Sequence, residues 1–244
     1  MLPAPNLWHL PRDASQHGPA LDHHLLLNLW IALALLTLAH AILLIGLAIK
    51  RRTQPTHKLY LEYLPLALLT ILFATLAIKA QHLWSAQRFT GAAPEAMQVE
   101  VTAMQFAWYF RYPGPDAHFG HTSLSLADPA AGNPLGLDPH DPHAADDIVT
   151  SQLVLPANRE VDLTLLSQDV IHGFSVPEMR LKQNAVPGQP THIHFTPTTP
   201  GTYAILCTQL CGLGHYRMAA TLLILPPDQF AQWLRTHEQP GATP

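Results

Sequence analysis

The chain begins with long apolar runs and then changes to a shorter, two-residue period. Residues 25–49 hold only three clearly polar side chains, and residues 60–80 form a second apolar run. Each run is long enough to cross a hydrocarbon core of about 30 Å as a helix. From Val99 onward, apolar and polar residues alternate in short segments separated by Pro and Gly. The pattern predicts two N-terminal transmembrane helices followed by an all-β sandwich or barrel.

The predicted strands recur about every ten residues, the spacing typical of such β-domains. They lie in the segments QVEVTAMQF, IVTSQLVLP, REVDLTLLS, VIHGFSVP, THIHFTP, GTYAILC and MAATLLILP. The last segment before the end, PPDQFAQWLRTHEQ, places Phe230, Trp233 and Leu234 at positions i, i+3 and i+4. This spacing predicts a short amphipathic helix that closes the domain.

The same pattern divides the chain into three parts. We expect residues 1–23, which are polar and carry four prolines, to form a flexible periplasmic tail, and residues 24–84 to form a transmembrane hairpin. The connection KRRTQPTHK carries four cations, which places it in the cytoplasm by the positive-inside rule. We then expect both termini and residues 85–244 to lie on the outer side of the membrane, in the periplasm or its equivalent. Within this last part, residues 113–147 are predicted to form one long loop.

The composition of the chain indicates which kinds of partner it can bind. Apolar residues make up 48% of the chain and charged residues 12%, a low charged share for a wholly soluble protein. From Ser85 onward there are seven Lys or Arg and fourteen Asp or Glu, a formal charge of −7. This acidic surface argues against nucleic acid and favours a cationic partner. The absence of C-x-x-C-H excludes a covalently attached c-type haem in this chain.

One stretch, CTQLCGLGHYRM, holds the only two cysteines of the chain, Cys207 and Cys211, together with His215 and Met218. Thiolate, imidazole and thioether form a ligand set that suits copper. The best candidate for a second imidazole is His172, in the upstream segment DVIHGFSVP. A mononuclear blue-copper site needs only one Cys. The second thiolate therefore favours two copper ions that share both sulfurs.

Two other interpretations stay open from these residues alone. Cysteines four positions apart in an oxidising compartment can form a disulfide, and Cys and His suit zinc as well as copper. Gly212 and Gly214, however, leave the loop backbone free to wrap around an ion. Together with the offsets of His215 and Met218, they favour a metal site over a disulfide.

The segments DVIHGFSVP and CTQLCGLGHYRM resemble the CuA motif of cytochrome c oxidase subunit II, and the similarity runs from the second membrane helix to the C-terminus. The resemblance implies a cupredoxin-like Greek-key barrel and a dinuclear copper centre, CuA. The copper ligands that it implies are His172, Cys207, the backbone carbonyl of Gln209, Cys211, His215 and Met218.

The resemblance also implies a function. Subunit II accepts electrons from a c-type cytochrome and passes them to haem in subunit I of a proton-translocating oxidase, where oxygen is reduced to water. The expected partners are subunit I, subunit III, a c-type cytochrome or other cationic donor, and membrane lipid. We expect no catalytic residue in this chain, and haems only in the partner subunit. The alternatives are a CuA subunit of a related nitric oxide reductase and a membrane-anchored copper storage or chaperone protein.

Further roles follow from the resemblance. Aligning Gln105 with the family's Gln-Trp-x-Trp segment places Phe106 where electrons enter, in place of the family's Trp, and Trp108 at the second Trp. Both residues are therefore expected to serve electron entry or docking. Asp169, three residues before His172, is expected to help dock a cationic donor. Glu62, at the start of the second membrane helix, is a candidate for proton uptake.

Two further features of the sequence do not lead us to predict a metal site. Gln209 stands where many family members have a Glu that also binds magnesium, so no magnesium site is expected. The predicted loop 113–147 contains an acidic cluster, which is either a docking surface or a solvated face, and four histidines whose spacing fits no metal site that we recognise. The four histidines are His118, His121, His140 and His143.

Overall fold

The structure, a computed structural model, describes residues 10–49 and 58–237. Of these residues, those up to Gly18 and from Thr90 onward form one compact unit, and those between Pro19 and Phe89 form another. Residues 50–57, which hold most of the predicted cytoplasmic loop, and residues 1–9 of the predicted tail lie outside the described residues.

Two long helices, α1 (Gly18–Ile49) and α2 (Leu59–Arg88), make up the helical unit. Both are long and apolar enough to cross a membrane, which confirms the predicted pair of apolar helices. Their polar side chains bond to their own helix: the hydroxyls of Thr37, Thr70 and Thr75 each donate to the carbonyl four residues earlier at 2.8 Å. Such bonds leave few polar groups unsatisfied in an apolar environment.

Helix α1 begins at Gly18, before the end of the predicted flexible tail at residue 23. The Ser15 hydroxyl accepts the Gly18 N–H at 3.1 Å, as an N-cap residue does, and Asp13 accepts the Ser15 N–H at 3.2 Å. The Ala14 N–H also donates to the carbonyl of Glu178 in the β-domain. These hydrogen bonds hold the residues just before α1, which lie in the part of the chain predicted as a tail.

The strands after α2 form two five-stranded sheets within the described chain. One sheet has the order β3-β2-β1-β5-β8 and the other β4-β10-β9-β6-β7. Strands β1 and β5 pair in parallel, as do β4 and β10. This arrangement confirms the prediction of a cupredoxin-like all-β domain. The strands are β1 (Met97–Met104), β2 (Ala107–Tyr112), β3 (Ile148–Thr150), β4 (Gln152–Pro156), β5 (Val161–Ser167), β6 (His172–Val176), β7 (Leu181–Ala185), β8 (Thr191–Phe195), β9 (Gly201–Cys207) and β10 (Ala219–Leu225).

The core lies between the two sheets, because apolar side chains alternate with polar ones along the strands. In β5, for example, Val161, Leu163 and Leu165 are fully buried while their neighbours are half-buried. The predicted C-terminal helix is present as α3 (Pro227–His237). Its residue Trp233 lies against the ring of Tyr112 on β2, at a centroid distance of 5.2 Å.

Two local predictions differ from the structure. The segment IVTSQLVLP, predicted as one strand, contains both β3 and β4, which lie in different sheets because the chain crosses between sheets at Ser151. Strand β7, with the sequence LKQNA, was not predicted. Its residues are largely polar, so its strand conformation comes from its pairing with β6.

The predicted loop 113–147 contains one 3₁₀ turn and is tied to the sheet by the buried Arg111. This guanidinium donates to Asp147 Oδ2 from Nε at 3.0 Å, to Glu100 Oε2 at 2.9 Å and to the carbonyl of Gly120. Burial raises the pKa of both Glu100 and Asp147, although the Arg111 charge opposes the rise. Since Gly120 and Asp147 belong to opposite halves of the loop, one side chain holds both halves.

Candidate metal centre

The loop between β9 and β10 carries most of the predicted ligands. Cys207 ends β9, a 3₁₀ turn covers His215–Arg217, and Met218 precedes β10. The Cys207 N–H donates to the Met218 carbonyl at 3.2 Å, so the two ends of the loop are joined. Pairing of β9 with β10 therefore brings ligands eleven residues apart to the same end of the sheet.

The sulfur and nitrogen atoms converge. Cys207 Sγ lies 3.8 Å from Cys211 Sγ, and Cys211 Sγ lies 3.7 Å from both His215 Nδ1 and Met218 Sδ. The carbonyl oxygen of Gln209 is 3.2 Å from Cys207 Sγ. Two thiolates bound to one ion at about 2.3 Å in tetrahedral geometry stand about 3.8 Å apart. The free cysteines therefore have the spacing that a shared metal ion needs.

The remaining imidazole comes from the neighbouring strand. His172 is fully buried at the start of β6, and its Nδ1 atom lies 3.1 Å from Met218 Sδ. Ligand atoms of His172, Cys207 and Cys211 all lie within 4.8 Å of one another. Because β6 pairs with β9, sheet formation alone brings His172 beside the loop.

Asp169 orients this histidine. Its Oδ1 lies 2.7 Å from His172 Nε2, and its Oδ2 accepts the Gln105 N–H at 2.7 Å. Partial burial works to raise the pKa of Asp169, but the hydrogen bonds from His172, Gln105 and Val170 outweigh it and lower this pKa. A carboxylate on the outer nitrogen fixes the tautomer that leaves Nδ1 free for a metal. The sequence predicted Asp169 only as a docking residue.

The aromatic segment lies beneath the loop. The Gln105 side chain donates from Nε2 to the Cys211 carbonyl at 2.5 Å, a contact that sequence reasoning missed. A Cβ atom at Gly214 would overlap the Phe106 ring, so glycine lets the loop pack directly on this ring. Trp108 is only 2% exposed and its ring lies 6.0 Å from that of His172. It therefore belongs to the core behind the ligands and does not reach a docking surface.

The Cys211 thiol is protonated in the metal-free protein at neutral pH. Burial, together with the neighbouring Cys207 thiol, raises the pKa of Cys211 to about 11. Thiolate is the form that binds metal, so metal binding must release this proton. The free-energy cost of removing the proton is offset by the strong bonds that soft sulfur donors form with a copper-class ion.

Comparison with known proteins identifies the domain that carries this site. Residues 99–224 match the profile of a family described as cytochrome c oxidase subunit II, periplasmic domain. The chain belongs to this family. The matched residues include the metal loop and His172, and a domain of this family that holds His172, Cys207 and Cys211 close together supports a copper site here. Two apolar helices and a domain of this periplasmic family fit a membrane protein with a periplasmic domain.

Two curated relatives illustrate the similarity. The alternative cytochrome c oxidase subunit 2 of Bradyrhizobium diazoefficiens is 38% identical over 149 residues, which cover 60% of this chain and 53% of the relative. The cytochrome c oxidase subunit 2 of Thermostichus vulcanus is 33% identical over 154 residues, 63% of this chain and 37% of the relative. The chain thus spans about half the length, or less, of these relatives.

A solved structure of the periplasmic domain of cytochrome oxidase subunit II from Bradyrhizobium japonicum is 24% identical to this chain. The similarity covers 60% of this chain and 97% of that structure, with a TM-score of 0.44.

Among the other predicted residues, Glu62 lies in the first turn of α2 and its side chain is exposed. Gln209 contributes a carbonyl and no carboxylate to the loop, so nothing at this position adds the charge that a magnesium site would need.

Proposed function

We propose that this chain is the electron-accepting subunit of a membrane terminal oxidase. It takes single electrons from a c-type cytochrome and passes them to haem in subunit I, where oxygen is reduced to water. One observation carries the proposal: two free thiols 3.8 Å apart stand among two imidazoles, a thioether and a backbone carbonyl. The domain around them belongs to the subunit II family. The reaction at oxygen takes place in another subunit.

The number of donors supports two ions over one. A tetrahedral zinc site uses four ligands, whereas the two thiols and the four donors around them make six, and the softness of the sulfur donors favours copper. Cys207, Cys211, His172 and His215 would hold two copper ions. Met218 and the Gln209 carbonyl would complete the set. When bound, such a centre takes up and gives off one electron at a time.

The protein supplies rigidity and a dry environment. His172, Cys211 and Met218 are at most 4% exposed, so water has little access to their ligand atoms. Asp169 fixes the His172 ring, and Gln105 fixes the carbonyl of Cys211. Ligands held in this way change position little when the charge at the site changes, which favours fast electron transfer.

The outer face of the loop supports a docking role. Leu210, Leu213 and Tyr216 are 79%, 98% and 85% exposed, and exposed apolar side chains on one loop are typical of contact surfaces. The acidic β-domain favours a cationic donor. Asp169, with 29% of its side chain exposed, adds a negative charge beside the ligands. We place the docked donor over this loop, and Phe106 beneath it as the aromatic side chain where electrons enter.

The membrane hairpin sets the location. We propose two spans in a bacterial inner membrane, with both termini and the metal domain on the periplasmic side. The helices contact subunit I, subunit III and lipid.

Glu62 takes up protons for subunit I, since its exposed carboxyl lies at the start of α2. Glu62→Gln should then slow proton uptake and leave electron acceptance unchanged.

Metal analysis of the full chain in detergent tests the central claim. After loading with copper, we expect two copper ions per chain and an electron paramagnetic resonance spectrum in which one unpaired electron is split by both nuclei. Cys211→Ser should abolish this spectrum, whereas His192→Gln, a change of an exposed histidine on β8, should not. One copper with a single-nucleus pattern, or a preference for zinc, would refute the dinuclear centre.

Reversible one-electron reduction separates an oxidase subunit from copper storage. A storage or chaperone site should hold only Cu(I), whereas an electron-accepting site must cycle between two oxidation states. A chain that binds copper but cannot be reduced and reoxidised would therefore be assigned to storage.

A further inference from the structure

Two histidines far from the metal loop in sequence come together in the long loop after β2. The rings of His118 and His143 have centroids 5.7 Å apart and planes inclined by 70°. Both side chains are exposed. Two imidazoles bound to one ion at about 2.0–2.1 Å in tetrahedral geometry have ring centres about 5 Å apart. The observed separation of the ring centres is close to that value.

Asp116 orients the ring of His143 and also holds the backbone at His118. Its Oδ2 atom is hydrogen-bonded to His143 Nδ1, and its Oδ1 atom accepts the backbone N–H of His118 at 2.8 Å. With Nδ1 of His143 donating to this carboxylate, Nε2 of the same ring is the nitrogen left for a metal. Carboxylates commonly fix metal-binding histidines in this way.

A second carboxylate ties together the two loop segments that carry these side chains. Asp141 accepts the His121 N–H at 2.6 Å and the His143 N–H at 3.1 Å. The carboxylates of Asp116, Asp141 and Asp146 all act electrostatically on His143. A divalent cation between the two imidazoles would therefore meet a negative local charge.

We infer that His118 and His143 form a surface site for one divalent zinc-class cation, positioned by Asp116. Two ligands converge here from the part of the chain that the structure describes, so water completes the coordination and the site binds more weakly than a closed four-ligand zinc site. A bound ion joins residues 116–121 to residues 138–143 and so closes the long loop upon itself. None of these residues takes part in the metal loop, so the inference does not depend on the proposed oxidase function.

Calorimetric titration of the full chain in detergent with zinc chloride, after copper loading, tests the site. We expect one zinc-binding event in the unchanged chain that weakens at least about 10-fold in His118→Ala and in His143→Ala. Asp116→Asn should weaken it about 10-fold, within the range for outer carboxylate partners. His192→Ala is the matched control, because His192 is also an exposed histidine near a carboxylate, 3.7 Å from Asp162. It should leave the event unchanged.

A measurement without substitutions guards against variants that disturb the loop. Zinc should protect His118 and His143 of the unchanged chain from modification by diethyl pyrocarbonate, read by mass spectrometry, while His192 stays reactive. Binding that survives His118→Ala, equal loss in the His192 variant, or absence of protection at His118 and His143 would each overturn the inference.

Discussion

The Nε2 atom of His172 lies 2.7 Å from Asp169 Oδ1, while Nδ1 of the same ring faces Met218 Sδ at 3.1 Å. One carboxylate thus determines which nitrogen is available to the metal. Because Asp169 is also partly exposed, the same residue presents negative charge to the surface over which we place the donor. Two substitutions separate these roles.

Asp169→Asn removes the charge but keeps an oxygen that can accept from His172. If the charge steers a cationic donor, electron acceptance should slow at low salt and return to the unchanged rate at high salt, since salt screens exposed charges. Stopped-flow kinetics with a c-type cytochrome measures this. An equal loss at both salt concentrations would rule out steering. Asp228→Asn, on the exposed face of α3, controls for a change in total charge.

Asp169→Ala also removes the acceptor for His172. Loss of such an outer partner typically costs about 10–100-fold in metal affinity, so we expect weaker copper retention against a chelator. Asp169→Asn should retain copper better than Asp169→Ala. Equal retention in both variants and the unchanged chain would show that the hydrogen bond does not support the site.

Gly214→Ala tests the contact between the loop and Phe106. The added methyl group would overlap the ring, and overpacking of this kind costs about 1–3 kcal/mol in the free energy of unfolding. Chemical denaturation of the β-domain measures the change. Adding Phe106→Leu should recover part of the loss, because the smaller side chain makes room. Gly46→Ala, where a Cβ meets no atom within 4 Å, is the control and should not destabilise this domain.

Arg111→Met leaves two carboxylates without their cation. Removing one partner of a buried ion pair costs about 3–5 kcal/mol, and we expect a loss of this size at pH 7 in denaturant titrations. Burial already raises the pKa of Glu100 and Asp147, and without Arg111 both should rise further.

The pH dependence of this loss has a definite sign. A carboxyl whose pKa is higher in the folded state keeps its proton where the unfolded chain has released it. Stability therefore falls as pH rises from the ordinary carboxyl pKa through the raised one. The cost of Arg111→Met should be smaller near pH 5 than at pH 7, and a cost independent of pH would contradict burial of unpaired carboxylates.

Tyr112→Phe tests the link between the sheets. The Tyr112 hydroxyl donates to the Val154 carbonyl at 3.0 Å and accepts the Val154 N–H at 2.7 Å. Burial raises the pKa of Tyr112 above its ordinary value. Each buried polar group left without a partner costs about 1–3 kcal/mol, so we expect a loss of at least this size. Tyr109→Phe, on the same strand but half-buried, should change stability less.

The sequence alone identified much of this protein. The spacing of apolar residues along the sequence separates the helices from the β-domain. A membrane helix needs a long continuous run of apolar residues, whereas a half-buried strand needs apolar and polar residues in alternation. Most of the proposed ligands lie within one loop, Cys207 to Met218, so their spacing alone indicated a soft-metal site. The resemblance to the subunit II family, which supplied the remaining detail, rests on these same residues.

The tertiary structure decided the contacts between distant segments. Gln105 meets Asp169 and Cys211 across 64 and 106 residues, and His118 meets His143 across a loop without a regular period. Strand β7 takes its conformation from its neighbour, and IVTSQLVLP divides because adjacent residues join different sheets. The local sequence determines the periodicity of apolar residues and the spacing of ligands that lie close together in the chain. Hydrogen bonds between residues far apart along the chain form only when the sheets pack.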